Sequence, residues 1–345
     1  ELAETVNRLK AAGASTKVQA DLLKRVSEHL EAAQEKTEAL EAAREAAEGE
    51  SSAHAKAHAF RDKVFTAQAS LREDIDALEF EIFEREKSSK AGIVKDWLPR
   101  YTGMPLEKFG EYILLVNFSG YVRTFADEHD VPIYGADRPM QAATADNITI
   151  INFGIGSPNA GLIIDLLEAI KPKAVLFLGK CGGLKTGKNQ VGDLILPIAA
   201  VRGEGTSNDY LPPEVPALPA FALQKAVSTT IRDFERDYWT GVVYTTNKRL
   251  WEHREDFKKR LRDLRCIAID METATIFVAA FKNQMPAGAL LLVSDMPMTS
   301  EGVKTEASDR VVTANFAQLH LAIGVQSLKQ LINRGKTVKH LRFEA

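Results

Sequence analysis

Between residues 112 and 293 the chain alternates two patterns, and this alternation limits its fold more than any other feature. Short apolar runs, rich in β-branched residues and bounded by Gly, Pro or Asn, lie at 112–116, 148–153, 174–178, 194–200, 242–244 and 287–293. Runs of that length and composition read as strands. Between or after them, apolar residues recur at helical spacing, at 158–170, 219–234, 250–264, 273–282 and 307–333. Strands alternating with amphipathic helices predict an α/β fold, with a mixed or mostly parallel central sheet flanked by helices.

Composition shifts near Lys87-Ser88-Ser89-Lys90, and the upstream sequence is rich in Ala, Glu, Lys and Arg. One stripe runs through Leu23, Val26, Leu30, Ala33, Thr37 and Leu40, and a second through Phe60, Val64, Ala67, Leu71, Ile75 and Leu78. Gly49-Glu50-Ser51-Ser52 separates them. The spacing predicts an antiparallel α-helical hairpin over 1–86, ahead of an α/β domain over 87–345. Such a hairpin buries little by itself, so it is expected to act in packing or assembly. His54 and His58 lie four apart on its second helix, but no carboxylates or third ligand accompany them. A solvated face accounts for the pair, and no metal is expected.

With 44 basic against 47 acidic residues the net charge is −3, which argues against a nucleic-acid or membrane-surface partner. Two cysteines, Cys181 and Cys266, make no disulfide framework and suit a reducing cytoplasm. No stretch reaches the roughly 18 apolar residues of a membrane span, and no signal-peptide pattern is present. The chain opens on Glu1 rather than methionine, which reads as the mark of a processed or trimmed product.

The chemistry gathers where apolar runs end. Ile269-Asp270-Met271-Glu272-Thr273 follows one run and Val293-Ser294-Asp295 closes another. In α/β sheets the C-terminal ends of strands converge on the ligand crevice. One carboxylate there can hold a sugar's hydroxyls, and another can give a proton to a leaving base. A third run breaks into Gly179-Lys180-Cys181-Gly182-Gly183, whose glycines let backbone approach a ligand while Lys180 faces an anion. Cys181 has no histidine near it in sequence and reads as a buried thiol, not a nucleophile. The stretch from Gly154 to Gly161 follows a strand and opens a helix, but Asn159 stands where a dinucleotide fingerprint wants glycine. That argues against a Rossmann-type nicotinamide dinucleotide site at this stretch. The stretch is then either a plain tight turn or a set of N–H groups, Gly156 included, facing an anion or ribose. Arg202, with the hydroxyls of Thr206 and Ser207, could hold a phosphate, though a solvated loop with capping residues has the same composition. Tyr244 fits a ring beside a flat base, or an ordinary core tyrosine.

From about residue 95 onward, the stretches Trp97-Leu98-Pro99-Arg100-Tyr101-Thr102-Gly103, 152–160, 176–183, 202–210, 269–273, 293–295 and 303–309 together resemble the AMP nucleosidases of the purine nucleoside phosphorylase/uridine phosphorylase superfamily. The resemblance is to their short bacterial form, which lacks the large regulatory N-terminal domain of longer homologues. The hairpin does not look like that domain. Through Glu1-Leu2-Ala3-Glu4-Thr5-Val6-Asn7, Ala59-Phe60-Arg61-Asp62-Lys63-Val64, Ser70-Leu71-Arg72 and Ala77-Leu78-Glu79 it is similar to the helical C-terminal tail of type III glutamine synthetases, which implies a fusion and brings no catalytic residue of that enzyme.

The nucleosidase resemblance implies a nucleoside phosphorylase-like fold and hydrolysis of the N-glycosidic bond of AMP to adenine and ribose 5-phosphate, without a cofactor. Asp295 would act as general acid at purine N7. Glu272 would grip the 2′- and 3′-hydroxyls, Met271 would pack under the ribose, and Tyr244 would line the base pocket, with Ser294, Cys181, Gly156, Gly179 and Gly182 also at the substrate. Phosphorylases of the superfamily carry Gly-Asp-Pro after the first strand, with an arginine beyond. Here the stretch reads Val116-Asn117-Phe118-Ser119-Gly120-Tyr121, which leaves Asn117 at the substrate, and Phe177 replaces a second phosphate-gripping arginine. An attacking phosphate would be poorly held, which favours water. Lys180, Arg202 and Arg138 are expected on the 5′-phosphate, and Glu204 is the candidate for activating water. Rival readings are a purine nucleoside phosphorylase or other nucleoside hydrolase of the same fold, and an oligomeric scaffold or nucleotide sensor. Members of the superfamily are commonly hexamers built from dimers, so a homo-oligomer is expected.

Overall fold

Alternate residues of the central strands go to opposite sides of one sheet, and two separate cores result. The computed structural model describes residues 89–299 and 302–334, together with Arg61. The hairpin expected over 1–86, with His54 and His58, otherwise lies outside the described residues. The elements begin with α1 (Lys90–Thr102), β1 (Tyr112–Val116), α2 (Ser119–His129), β2 (Gln141–Ala145), β3 (Ile148–Asn152) and α3 (Ser157–Leu166). They continue with β4 (Ala174–Gly183), β5 (Leu194–Gly203), α4 (Phe221–Asp233), β6 (Trp239–Thr246) and α5 (Glu255–Asp263). The last are β7 (Ala268–Asp270), α6 (Thr273–Lys282), β8 (Ala287–Asp295) and α7 (Glu306–Arg334). The described residues from Val94 onward make one unit.

The sheet is mixed and eight-stranded, in the order β2-β3-β1-β4-β7-β6-β5-β8. Strands β3, β1, β4 and β8 run parallel, as do β5, β6 and β7, and the two sets meet antiparallel at β4–β7 and β5–β8. Because β8 pairs with β4 as well as β5, the strands β4, β7, β6, β5 and β8 close a circuit. Register shifts in β4 at Cys181/Gly182 and in β5 at Pro197/Ala199 supply the curvature, since a bulge bends its strand. Pro197 is tolerated at such a break, and the buried Gln224 of α4 repairs it by donating to the carbonyls of Pro197 (2.6 Å) and Ala289 (3.1 Å).

The period of two along each strand sorts the core. Ile113, Leu115, Val175, Phe177, Ala289, Leu291 and Val293 pack with residues of α1, α3 and α6. Tyr112, Leu114, Val116, Leu176, Leu178, Leu290 and Leu292 pack with residues of α2, α4 and α7. The expected flanked sheet is therefore present. Several elements differ from the sequence expectation. Strand β4 continues through Gly183, because Gly182 and Gly183 pair with Ile269 and Ala268. Helix α2 was not anticipated, nor was β2, which turns into β3 through Asp146 and Asn147, both at positive φ (53° and 64°). That is the backbone a two-residue hairpin needs, and Asn and Asp tolerate it. The helix expected from residue 250 starts only at Glu255, since Leu250 sits at φ 64°. No helix among the described residues is long and apolar enough to cross a membrane.

Candidate active site

Both sets of parallel strands deliver their C-terminal ends to one cavity of ≈ 320 Å³, within the range of small-molecule sites. Asn117 and Phe118 follow β1, Lys180, Cys181 and Gly182 come from β4, and Thr246 ends β6. Ile269, Asp270, Met271 and Glu272 come from the end of β7, and Ser294 and Asp295 from the end of β8. Ile155, Arg249, Trp251, Pro297, Lys304 and Asp309 complete the wall. Asp295 and Glu272 thus share one hollow.

The acidic segment after β7 is tightly bonded. Buried Asp270 accepts the Thr245 hydroxyl (2.7 Å) on Oδ1, and on Oδ2 the N–H groups of Thr273 (2.7 Å) and Glu272 (3.3 Å) and the Thr273 hydroxyl. Burial lifts its carboxyl above the ordinary aspartate range, although these donors oppose the lift. Glu272 accepts the Gly156 N–H on Oε1 (2.7 Å) and the Met271 N–H on Oε2 (3.2 Å), and the Asn117 side chain also bonds it. Burial first, and then the neighbouring Asp270 charge, push Glu272 up to about 8. The turn around Gly156 (φ 98°) is pinned to this segment, since Ser157 Oγ donates to the Met271 carbonyl at 2.6 Å. Gly156 therefore faces the Glu272 carboxyl and does not line the cavity.

Asp295 is buried beside Ser294, whose hydroxyl donates to its Oδ1 at 2.8 Å. Burial raises the Asp295 carboxyl, opposed by that bond and by the charges of Lys304 and Arg249. Lys180 Nζ reaches Asp309 Oδ1 (2.8 Å) and Thr313 Oγ1 (2.8 Å) and lies 4.4 Å from the Phe118 ring centre. Asp309 and Thr313 stand one turn apart on α7, so one helix face meets the ammonium. Burial lowers the Lys180 pKa, while the bond to Asp309 opposes the fall. Lys304 Nζ shares the same Asp309 oxygen at 2.8 Å and also lies over Phe118, at 5.2 Å. Burial would raise Asp309, but the two lysines outweigh it and hold the carboxyl below its usual value. Arg249 bonds the buried Glu252.

Among the residues expected at the substrate, Asp295, Glu272, Met271, Ser294, Lys180, Cys181, Gly182 and Asn117 come together on the cavity wall. Gly179, Tyr244, Arg202, Glu204, Thr206, Ser207 and Arg138 do not, and the packing says why. Arg202 bonds Ser207 Oγ (2.9 Å), Asn208 Oδ1 (3.0 Å) and the carbonyls of Leu211 (2.6 Å), Pro212 (2.5 Å) and Val215 (2.7 Å), which ties its guanidinium into the loop after β5. Glu204 accepts the N–H groups of Gly205 (3.0 Å) and Ser207 (3.0 Å) and the Thr275 hydroxyl (2.8 Å), knitting the turn that holds Thr206 to α6. Tyr244 packs edge-on against Phe257 in a small apolar cluster with Trp251, Leu261 and Cys266. Gly179 makes room for protein, not ligand, since a Cβ there would stand 2.5 Å from the Phe177 ring. Arg138 is half exposed beside Asp137, 3.6 Å away. The Cys181 thiol is pushed well up, by burial and then by the charges of Asp270 and Asp295, which suits a buried thiol.

Sequence reasoning missed Trp251, Arg249 and Lys304. Trp251 and Arg249 fell at the edge of an expected helix, where Leu250 instead takes a positive φ (64°) and both neighbours line the cavity. Lys304 lay in a quoted stretch, 303–309, but nothing in its spacing marked it as facing Asp295. Among the described residues, no three His, Cys, Asp or Glu side chains are grouped to hold a metal ion.

Residues 111–330 match the phosphorylase superfamily. The crystal structure of AMP nucleosidase from Bacteroides thetaiotaomicron VPI-5482 is 49% identical, covers 72% of this chain, is itself covered to 99%, and superposes with a TM-score of 0.64. AMP nucleosidase of Escherichia coli K12 is 29% identical over 284 residues, 69% of this chain. The chain spans 58% of that relative, less than two thirds of its length. Uridine phosphorylase of Treponema pallidum is 27% identical over 253 residues, which cover 68% of this chain and 94% of that protein.

Proposed function

The chain belongs to the phosphorylase superfamily, and on that footing we propose that it hydrolyses the N-glycosidic bond of AMP, releasing adenine and ribose 5-phosphate. One observation carries the reading. Two buried carboxyl groups, Asp295 and Glu272, line a single nucleotide-sized cavity, and Asn117 and Phe118 stand on its wall in place of the Gly-Asp-Pro motif of the phosphorylases. Phe177, at the second position where an arginine would serve phosphate, is fully buried in the core. Similarity to two AMP nucleosidases supports the same substrate.

In this reading the C1′–N9 bond breaks with its electron pair passing to the purine, and Asp295 gives its proton to N7. A carboxyl raised by burial holds that proton closer to neutral pH, as a general acid must. Glu272 holds the ribose, and water adds to C1′ as it loses a proton, which through solvent returns Asp295 to its acid form. Trp251 supplies the aromatic wall expected of Tyr244. Lys304 and Arg249, each ion-paired to one carboxylate, keep further N–H donors for the 5′-phosphate, the role expected of Arg202 and Arg138. The test is product analysis with AMP in phosphate-free buffer. Adenine and ribose 5-phosphate should appear at a rate that added phosphate leaves unchanged. Turnover that requires phosphate and prefers adenosine would make the chain a phosphorylase and sink the proposal. We further infer a cytoplasmic homo-oligomer, by analogy with the superfamily; a single-subunit mass in light scattering of the full chain would refute the assembly.

A further inference from the structure

Asn117 is buried on the cavity wall, and its two amide ends have unequal fates. The nitrogen end serves Glu272, because a carboxyl group held beside an amide takes the N–H. The carboxamide oxygen is left buried with no hydrogen-bond partner among the described residues. A buried acceptor without a donor is costly, so such an atom in a native site calls for an explanation. It cannot be explained by core packing, since the side chain lies at the end of β1 on the wall of a cavity, beside the carboxyl group expected at the sugar.

The Glu272 surroundings narrow what such an oxygen could receive. Its carboxyl group already meets the N–H groups of Gly156 and Met271 and the Asn117 amide, so one of its roughly four hydrogen-bonding positions remains for a ligand. Because the Asn117 nitrogen bonds the Glu272 carboxyl, the oxygen of the same planar amide is held near it, two neighbouring places for two adjacent polar groups. A ribose presents two vicinal hydroxyls, each able to donate one hydrogen bond. Resting on the proposed function, we propose that the Asn117 carboxamide oxygen receives one ribose hydroxyl, with Glu272 taking the other, and so makes the site select ribonucleotides over their deoxy counterparts. A substrate lacking that hydroxyl leaves the oxygen unpaired in a closed site, which is how hydrogen-bonding pockets reject deoxy analogues.

The experiment compares AMP, 2′-deoxy-AMP and 3′-deoxy-AMP as substrates in phosphate-free buffer, and as ligands by calorimetry, with the parent protein, Asn117→Leu and Asn117→Asp. The parent should disfavour the deoxy analogues by roughly 10- to 100-fold in kcat/KM. Asn117→Leu should bring AMP and one of the two analogues within about threefold of each other, by losing AMP affinity while that analogue is little changed. Asn117→Asp, which keeps an acceptor oxygen, should restore most of the discrimination and shows that the Leu result is not misfolding. An equal fall for all three nucleotides, with binding intact, would assign Asn117 to the attacking water and overturn the proposal, as would selectivity unchanged in Asn117→Leu. Parent protein that binds AMP in preference to its deoxy analogues but does not cleave it would refute the proposed reaction and leave the Asn117 assignment standing.

Discussion

Replacing Arg202 with methionine separates a loop clamp from a phosphate ligand. The guanidinium makes five bonds in the structure, to Ser207 Oγ, Asn208 Oδ1 and the carbonyls of Leu211, Pro212 and Val215. The bonds to Asn208 and Pro212 are exposed, and water replaces them at little cost. The other three are part-buried, and at about 1 kcal/mol each for a hydrogen bond lost, the change should destabilise by about 3 kcal/mol. In a domain of this size each kcal/mol lowers Tm by about 2–4 °C, so a fall of about 6–12 °C is expected in a thermal melt. The KM for AMP, read from adenine release below the new Tm, should stay within about twofold of the parent. An unaltered melt with KM raised about tenfold or more would mean that Arg202 meets the substrate's phosphate, and the reasoning from its bonds would be wrong. Arg202→Lys should fall between the two, since an ammonium lacks the planar fork that reaches several carbonyls at once.

Asp295→Asn should lose about 10²- to 10⁴-fold in kcat while AMP still binds, because the amide cannot deliver a proton. With Asp295 intact, kcat should fall as pH rises through the carboxyl's raised pKa, and a rate that climbs steadily with pH would remove it from the acid role. Glu272 titrates at about 8 when folded against 4.5 ordinarily, so the stability tied to its proton is whole below about pH 4.5 and is lost as pH rises through about 8. Glu272→Gln, which never ionises, should therefore melt above the parent at pH 9, by a smaller margin at pH 6, and the opposite ordering in calorimetry would contradict the raised value.

The parts of the fold that declared themselves in sequence did so through periodicity. Runs such as 112–116 and 287–293 are apolar throughout because helices cover both faces of β1 and β8, and α6 begins at Thr273 just where its pattern does. Helix α2 was hidden because Ser119-Gly120-Tyr121 reads as a loop, and only packing of Tyr121, Val122 and Phe125 against the sheet makes it helical. Asp295 and Glu272 were legible as acids closing apolar runs. Arg202 misled, since the residues that suit a phosphate also suit a tight loop, and sequence does not say whether a donor turns outward or back on its own backbone. Trp251 and Lys304 were illegible for the opposite reason. Their inward direction depends on the turn at Leu250 and on where α7 starts, and neither leaves a periodic trace.

The strand circuit has a consequence for how copies of this protein can meet. Every strand from β4 to β8 has neighbours on both sides, so of the described sheet only β2 ends without a second partner strand. Even that rim is short, and Tyr134 bridges it at Ala142. A sheet that bites its own tail gives a stranger almost no raw backbone to zip onto. Any stable association of the described region must then be written in side chains, on helix faces and loops, where sequence can tune it.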